Sequence, residues 1–349
     1  MNNGKPKVTI YDIARISGSS PSTVSAALSK NWRERRIGDA TARKIRQIAS
    51  DSGYTANLQA RGLRRGRSGL IGLILPLHEN RFFSSLSQCF EAEARQRGWC
   101  PVIVSTLRDR AEEIQTVETL ISYAVDYLFI CGATDPDALS ELCQAAKLLH
   151  LYVDLPGKDA PSVVSNNFHG AQMLTTTMLA NMSNDIDEMR SRLYFIGGLS
   201  TDYASAQRML AFRETLKEAN LPFDESQIIQ CGYSPDRASR SVAALCESLG
   251  GLPAGLFVNS IKAFEGVVSH FVHLPSDAFE TSVIGCYDYD PFAAFLRFPV
   301  HMIRQNSNGL IASAFELFDA GAQEPVLVQV EPELIPPRTV YSGSFTELG

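Results

Sequence analysis

Six histidines, seven cysteines and a run of hydroxyl-bearing residues are the side chains of this 349-residue chain best suited to chemistry. Bond-making chemistry needs them at fixed spacings. His78, His150, His169, His270, His273 and His301 show no pairing with a nucleophile along the sequence. Cys89, Cys100, Cys131, Cys143, Cys231, Cys246 and Cys286 are odd in number and form no C-x-x-C pair. Most lie in apolar runs, so buried free thiols are expected and a metal site is not. Gly197-Gly198 follows an apolar run but belongs to no G-x-G-x-x-G or Walker A pattern. Catalysis and a bound cofactor are therefore not expected, which leaves recognition. In "SSPSTVSAALS", Ser20, Pro21, Ser22, Thr23, Ser25 and Ala26 offer hydroxyls and a methyl group. A serine hydroxyl can bond a base edge or a phosphate, and an alanine can meet a thymine methyl. Arg33, Arg35 and Arg36 of "NWRERR" add positive charge directly downstream.

The charge is segregated. Residues 1–68 hold 14 Lys+Arg against 4 Asp+Glu, a net of +10, while the remainder holds 18 against 34, a net of −16. A small basic head on a large acidic body directs only the head toward a polyanion. The head has helical periodicity, which a solvated basic tail would lack. Thr9 can cap a first helix, with Asp12 three residues on and Tyr11 beside it; Ile10, Ile13 and Ala14 share one face. Gly18 breaks that helix. Ser20 suits an N-cap and Pro21 the first helical position, and Val24, Ala27 and Leu28 form the inner face of a second helix. A third runs from about Asp39 to Ser52, with Ile45, Ile48 and Ala49 inward and Gly53 as its stop. Three short helices with a tight turn between the first two match a helix-turn-helix unit. A generic three-helix bundle would read similarly; the basic surplus and the turn favour DNA. In "TANLQARGLRRGRSG", Asn57 can start one more short helix carrying Leu58 and Leu63, with Gly62 inside it as a destabilising residue. A hinge that orders on DNA and a flexible basic linker both satisfy that composition.

From Leu70 onward, "LIGLILP", "CPVIVST", "DYLFICG" and "LHLYVDLP" are near-continuous apolar runs, followed by "SRLYFIGG", "AGLFVNS" and "SVIGCYD". Such runs suit parallel strands buried on both faces, and their alternation with helical stretches gives an α/β body. Its length, about 280 residues, suits two doubly wound parallel-sheet lobes, with ligands at the carboxyl ends of the strands. The expected division is 1–56 for an all-α head, 57–68 for a linker and 69–349 for the body. No apolar run approaches the ~20 residues of a membrane span. "MNNGKPKVTIYD" lacks an apolar signal-peptide core, so a cytoplasmic location is expected.

"VTIYDIARISGSSPSTVSAAL" and "RIGDATARKIRQIASDSGYTANLQARGLRRGRSGLIGLILP" resemble the N-terminal signature of the lactose/galactose repressor family of bacterial transcription regulators. The shared elements are T-x-x-D-I-A, the triplet Thr23-Val24-Ser25, G-Y-x-x-N at Gly53–Asn57 and A-x-x-L at Ala60–Leu63. The resemblance implies a homodimer on a palindromic operator, the second helix in the major groove, and paired linker helices that push Leu63, with Ala60 beside it, into the minor groove. Two departures stand out: Ala56 replaces a proline usual before the hinge Asn57, and "NWRERRIG" is a longer, more basic turn, comparable with that of the fructose-repressor branch. The body resembles the family's sugar-binding core, and "RSGLIGLILPLHENRFF" and "FIGGLSTDYASAQRMLAFR" resemble the fructose-repressor branch, whose effectors are phosphorylated fructose derivatives. By position, the resemblance implies effector contacts from Phe82 and Phe83, from Arg208 in A-x-x-R-x-x-A-F, and from Asn259 or Ser260. It implies an aspartate at Asp288, or at Asp290 because G-C-Y-D is one residue longer than the family pattern. Arg81, Asp135 and Gln305 are further candidates near the interlobe cleft.

Overall fold

The computed structural model describes residues 8–29, 32–54, 67–182 and 192–339. The chain divides into two compact units, Met1–Ser68 and Gly69–Gly349. Asn57, Ala60 and Leu63, with Ala56 and Gly62, lie outside the described residues.

The smaller unit contains α1 (Ile10–Ser17), α2 (Pro21–Ala27) and α3 (Asp39–Asp51). Thr9 and Asp12 close a full capping box, in which the Asp12 carboxylate accepts from the Thr9 backbone N–H at 2.9 Å. Gly18 ends α1 at φ +69°, a left-handed conformation that a Cβ would strain. Ser20 caps α2 by accepting from the Thr23 N–H at 3.1 Å, with Pro21 in the first turn. Ile13, Val24, Ala27, Ala42, Ile45 and Ala49 form the core. Ile10, Leu28 and Ile48 pack at its edge, and Trp32 and Ile37 from the basic stretch join them.

The larger unit has two six-stranded sheets. The first takes β1 (Leu70–Leu75), β2 (Cys100–Ser105), β3 (Tyr127–Cys131), β4 (Leu149–Val153), β5 (Ser162–Ser165) and, late in the chain, β11 (Leu327–Val330). The second takes β6 (Leu193–Ile196), β7 (Ile228–Ile229), β8 (Gly255–Val258), β9 (Val283–Tyr287), β10 (Val300–Arg304) and β12 (Glu333–Ile335). All pairings are parallel except that of β12 with β10. The crossover helices are α4 (Arg81–Gln96), α5 (Arg110–Ser122), α6 (Pro136–Ala145), α7 (Asn167–Asn181), α8 (Tyr203–Glu218), α9 (Pro235–Leu249), α10 (Ile261–Phe271) and α11 (Ser307–Asp319).

Two of these helices change lobes. α7 follows β5 of the first sheet yet packs on α8 and on β9 and β10 of the second. α11 follows β10 of the second sheet yet packs on α4 and on β5 of the first. Each lobe therefore holds an element donated by the other half of the sequence, and the chain passes between lobes three times. The lobes have their own apolar interiors, with Phe90, Phe129 and Phe315 in the first and Phe195, Phe212 and Phe257 in the second. Cys131, Cys143, Cys231, Cys246 and Cys286 are buried free thiols, whereas Cys100 is exposed and Cys89 is half-buried. Among the described residues no helix is long and apolar enough to cross a membrane.

Candidate functional site

Parallel strands carry the chain out at their carboxyl ends, and in a doubly wound sheet those ends form the ligand crevice. Here the two sheets aim their carboxyl ends at one cleft of about 230 Å3. From the first lobe come Asn80 and Phe82 after β1, Arg108 after β2 and Asp154 after β4. From the second come Asp202 after β6, Tyr233 after β7, Ser260 after β8 and Asp288 after β9, with Gln305 at the end of β10. Several cap the helices that follow: Asn80 accepts from the Phe82 N–H at 2.9 Å, Asp202 from the Ala204 N–H at 2.9 Å, and Ser260 from the Ala263 N–H at 3.2 Å. Capping thus fixes wall residues as well as ending helices.

Arg208 is the floor of the second lobe. It is only 3% exposed. Its Nε donates to Asn167 Oδ1 at 2.9 Å, one terminal nitrogen donates to the Asn259 carbonyl at 2.6 Å, and its guanidinium lies 3.6 Å from the Tyr287 ring centre. A buried cation must be held this way or shed its charge. Beside it, Asp288 accepts from Gln305 Nε2 at 2.7 Å and from the Ile261 N–H at 3.4 Å. Burial pushes the Asp288 carboxyl above its ordinary range, against the pull of Arg208. Asp154 is raised to about 7, because burial, with the neighbouring Asp202 and Asp288, outweighs Arg108 and Arg208. Asp202 also accepts from the Tyr233 hydroxyl, which meets Ser205 Oγ at 2.9 Å. Arg108 and Arg208 with Lys262 face Asp154, Asp202 and Asp288. Cationic donors facing carboxyl acceptors in this way can bind a polyhydroxylated molecule through both kinds of group.

Two bridges cross the cleft mouth. Arg81 Nε donates to Asp290 at 3.1 Å, and the Arg108 guanidinium lies 4.8 Å from the Tyr233 ring centre.

The candidate residues separate cleanly. Phe82, Phe83, Arg208, Ser260, Asp288 and Gln305 line the cleft. Asn259 lies behind the wall, fully buried, donating to Ser205 Oγ at 3.1 Å. Of the two aspartates in the lengthened segment, Asp288 lines the cleft; Asp290 caps the short 3-10 turn Pro291–Phe295 and pairs with Arg81. Two candidates lie outside the cavity lining. Arg81 is held at the mouth by Asp290 and does not line the cavity. Asp135 lies outside it because its carboxylate caps α6 through the Ala138 N–H at 3.1 Å and pairs with Arg110 at 2.6 Å. Gly197 and Gly198 serve packing: both have positive φ, and a Cβ on Gly198 would stand 2.5 Å from Ser205 Oγ.

In the smaller unit, Tyr11, Pro21 and Ser22 are exposed and Thr23, Ser25 and Ala26 half-buried around the front of α2. Ser20 Oγ is engaged with Ser22 and Thr23 hydroxyls, each at 2.8 Å. Thr9 serves its capping box. Arg33, Arg35 and Arg36 are exposed.

Residues 9–57 match the lacI family of bacterial regulatory proteins, and residues 71–292 match the periplasmic binding protein domain. The ribitol operon repressor of Klebsiella aerogenes is 45% identical over 192 residues, covering 55% of this chain and 71% of that protein. The chain belongs to the lacI family of bacterial regulatory proteins. The sucrose operon repressor of Klebsiella pneumoniae is 26% identical over 92% of this lacI-family chain and 95% of its own. The crystal structure of the Lac repressor bound to ONPG in the repressed state has a TM-score of 0.78 at 17% identity, covering 96% of this chain and 100% of that one. That of the Cra transcriptional dual regulator from Pseudomonas putida in complex with fructose 1-phosphate has a TM-score of 0.67 at 23% identity, covering 77% and 98%. These two structures share the fold.

Arg108, Asp154, Asp202 and Tyr233 of this lacI-family regulator line the cleft without having been singled out in the sequence. Each follows the end of a parallel strand, and that position is the signal that would have found them. Asp154 closes the apolar run "LHLYVD", and its φ of +74° turns the chain where that strand stops.

Proposed function

We propose that this lacI-family protein is a transcription repressor that binds a palindromic operator as a homodimer and responds to a small polyol, sugar or sugar phosphate held between the lobes of its body. The observation that carries the reading is the interlobe cleft, lined by the buried Arg208 and by the hydrogen-bonded pair Asp288 and Gln305, all three at positions expected to meet an effector. The names of relatives support the ligand class: one represses a ribitol operon, and a protein of the same fold was crystallised with fructose 1-phosphate. The protein acts in the cytoplasm and catalyses no reaction. Its division of labour runs 1–56 for DNA reading, 57–68 for the hinge and 69–349 for effector binding and dimerisation.

Control follows from linkage. An effector that binds one lobe arrangement better shifts the population toward it, and DNA affinity changes by that differential affinity. The test has two arms. A thermal-shift screen with ribitol, other alditols, sugars and sugar phosphates should find a compound that raises the melting temperature. A palindromic duplex selected from a random library should stay bound at about 200 mM salt, where purely electrostatic binding fades. Leu63→Ala should weaken the palindrome far more than random DNA; equal losses would remove Leu63 from the centre of the site.

A further inference from the structure

The stretch that lengthens the connection between α2 and α3 is a folded corner. Trp32 packs against the small core, and its ring carries two guanidinium groups, Arg33 and Arg46, each 5.0 Å from the ring centre. Arg46 reaches from α3 to the end of α2, where Nε donates to the Ala27 carbonyl at 3.0 Å and a terminal nitrogen to the Ser29 carbonyl at 3.4 Å. The Ala27 carbonyl is at the negative end of α2, where a cation is favourable, and the Ser29 carbonyl lies just beyond it. Beyond Trp32 the backbone turns twice: the Arg35 N–H donates to the Trp32 carbonyl at 3.2 Å and the Arg36 N–H to the Arg33 carbonyl at 3.1 Å. Arg36 sits at φ +55°, unusual for a long side chain.

Three cations on α1 and α3 are engaged elsewhere. Lys44 donates to the Ser17 carbonyl at 3.1 Å, Arg43 to the Asp39 carbonyl at 3.4 Å, and Arg15 lies 3.7 Å from Asp12. Arg33, Arg35 and Arg36 remain exposed, with Glu34 the one acid among them. Among the described residues none of the three forms an ion pair with a carboxylate. Stacking on one ring holds Arg33 and Arg46 close together despite their like charge. An anion is the partner such a corner lacks.

Distance selects which anion. A reading helix enters the major groove by its N-terminal end. α2 has seven residues, so its far end lies about 10 Å behind the base-reading end. The corner follows the end of α2 remote from the bases, which favours the phosphates that flank the groove over the base edges.

We propose that Trp32 and Arg46 are positioning residues that fix the segment 32–36 as a phosphate-binding corner, through which Arg35 and Arg36 grip the DNA backbone beside each half-site without reading sequence. The proposal rests on the DNA-binding reading above. It makes the lengthened turn a source of affinity and register, offsetting the small side chains at the front of α2.

The test measures binding of the full-length protein to a selected palindromic duplex and to a random-sequence duplex of equal length, across a salt series. Each lost phosphate contact should reduce the slope of log K against log salt by about 0.9. Arg35→Gln/Arg36→Gln should therefore lower the slope by about 1.8 per subunit and weaken both duplexes by the same factor. Trp32→Leu, which keeps the apolar packing but removes the aromatic face, should lower the slope although every basic residue remains. Trp32→Phe should restore it. An unchanged slope for the Arg35/Arg36 variant would overturn the phosphate contact. A loss confined to the palindrome would instead mean base reading, and an unchanged slope for Trp32→Leu would overturn the positioning role. A wild-type protein that binds neither duplex would fail the functional reading itself, an outcome separate from all of these.

Discussion

Asp154 and Arg208 show how burial turns ordinary side chains into a responsive site. The Asp154 carboxyl is raised from the ordinary 3.8 to about 7, first through burial. The folded state then holds this proton more tightly than the unfolded chain. Its stabilising contribution is complete below about pH 4 and is lost as pH rises through 7. Asp288 is shifted in the same direction and adds to the trend. Asp154→Asn should flatten the fall of melting temperature between pH 5 and 8, measured by differential scanning fluorimetry; an identical slope would show that Asp154 titrates normally. Arg208 acts through geometry. Lysine keeps the charge but loses the planar fork that spans Asn167 and the Asn259 carbonyl. Arg208→Lys should lower effector affinity by at least about tenfold, equivalent to 1.4 kcal/mol, while operator binding without effector persists. Calorimetric titration and gel shift would read the two halves separately.

At the scale of elements, termini do most of the positioning. Ser20 ends one turn, starts α2 and orders the hydroxyls of Ser22 and Thr23 beside it. Ser20→Ala should cost about 1 kcal/mol and Ser20→Gly only a few tenths, read as a shift in the urea midpoint of the small unit. The seven apolar runs read as strands from the sequence are all strands: "LIGLILP" yields Leu70–Leu75 and "SVIGCYD" yields Val283–Tyr287. Of the strands that escaped, Ser162–Ser165 and Val300–Arg304 are mostly buried, whereas two others are short or half-exposed. Ile228–Ile229 is two residues long, and Leu327–Val330 alternates exposed with half-buried positions at a sheet edge. Neither carries the continuous apolar signal of a strand covered on both faces. Ala42 likewise joins the small core although alanine contributes little to a hydrophobic pattern.

For the whole molecule, the decisive feature is that two helices pack on the lobe opposite the strand they follow. The segments passing between lobes are tied to one another: Glu331 accepts from Asn166 Nδ2 at 2.7 Å and meets His169 Nδ1 at 2.6 Å. The cleft mouth is bridged separately by Arg81 and Asp290, whose side chains are 41% and 21% exposed. Exposed pairs of this kind contribute at most about 1 kcal/mol, so Asp290→Ala should change effector affinity by no more than about fivefold, far less than Arg208→Lys. A larger loss by calorimetric titration would make the bridge a principal closure contact. Because the chain forms two compact units, calorimetry should resolve two unfolding transitions, and an effector should raise only that of the larger unit. A shift of both by equal amounts would show that they unfold together.

The sequence alone determined the helix-turn-helix head, the basic and acidic halves, the α/β character of the body and most of its strands. Periodicity, caps and turns depend on neighbours one to four residues away, and charge segregation is a matter of composition. A family resemblance pointed to Arg208 and to Asp288 or Asp290, and Gln305 was a further candidate for the cleft. Tertiary structure alone decided which strand ends face one another. Arg81 and Asp290 meet across 209 residues of chain, and Asp154 is raised to about 7 first by its burial, with Asp202 and Asp288 of the opposite lobe adding to the shift. Such meetings are set by strand order and by the three passages between lobes, which no local pattern encodes.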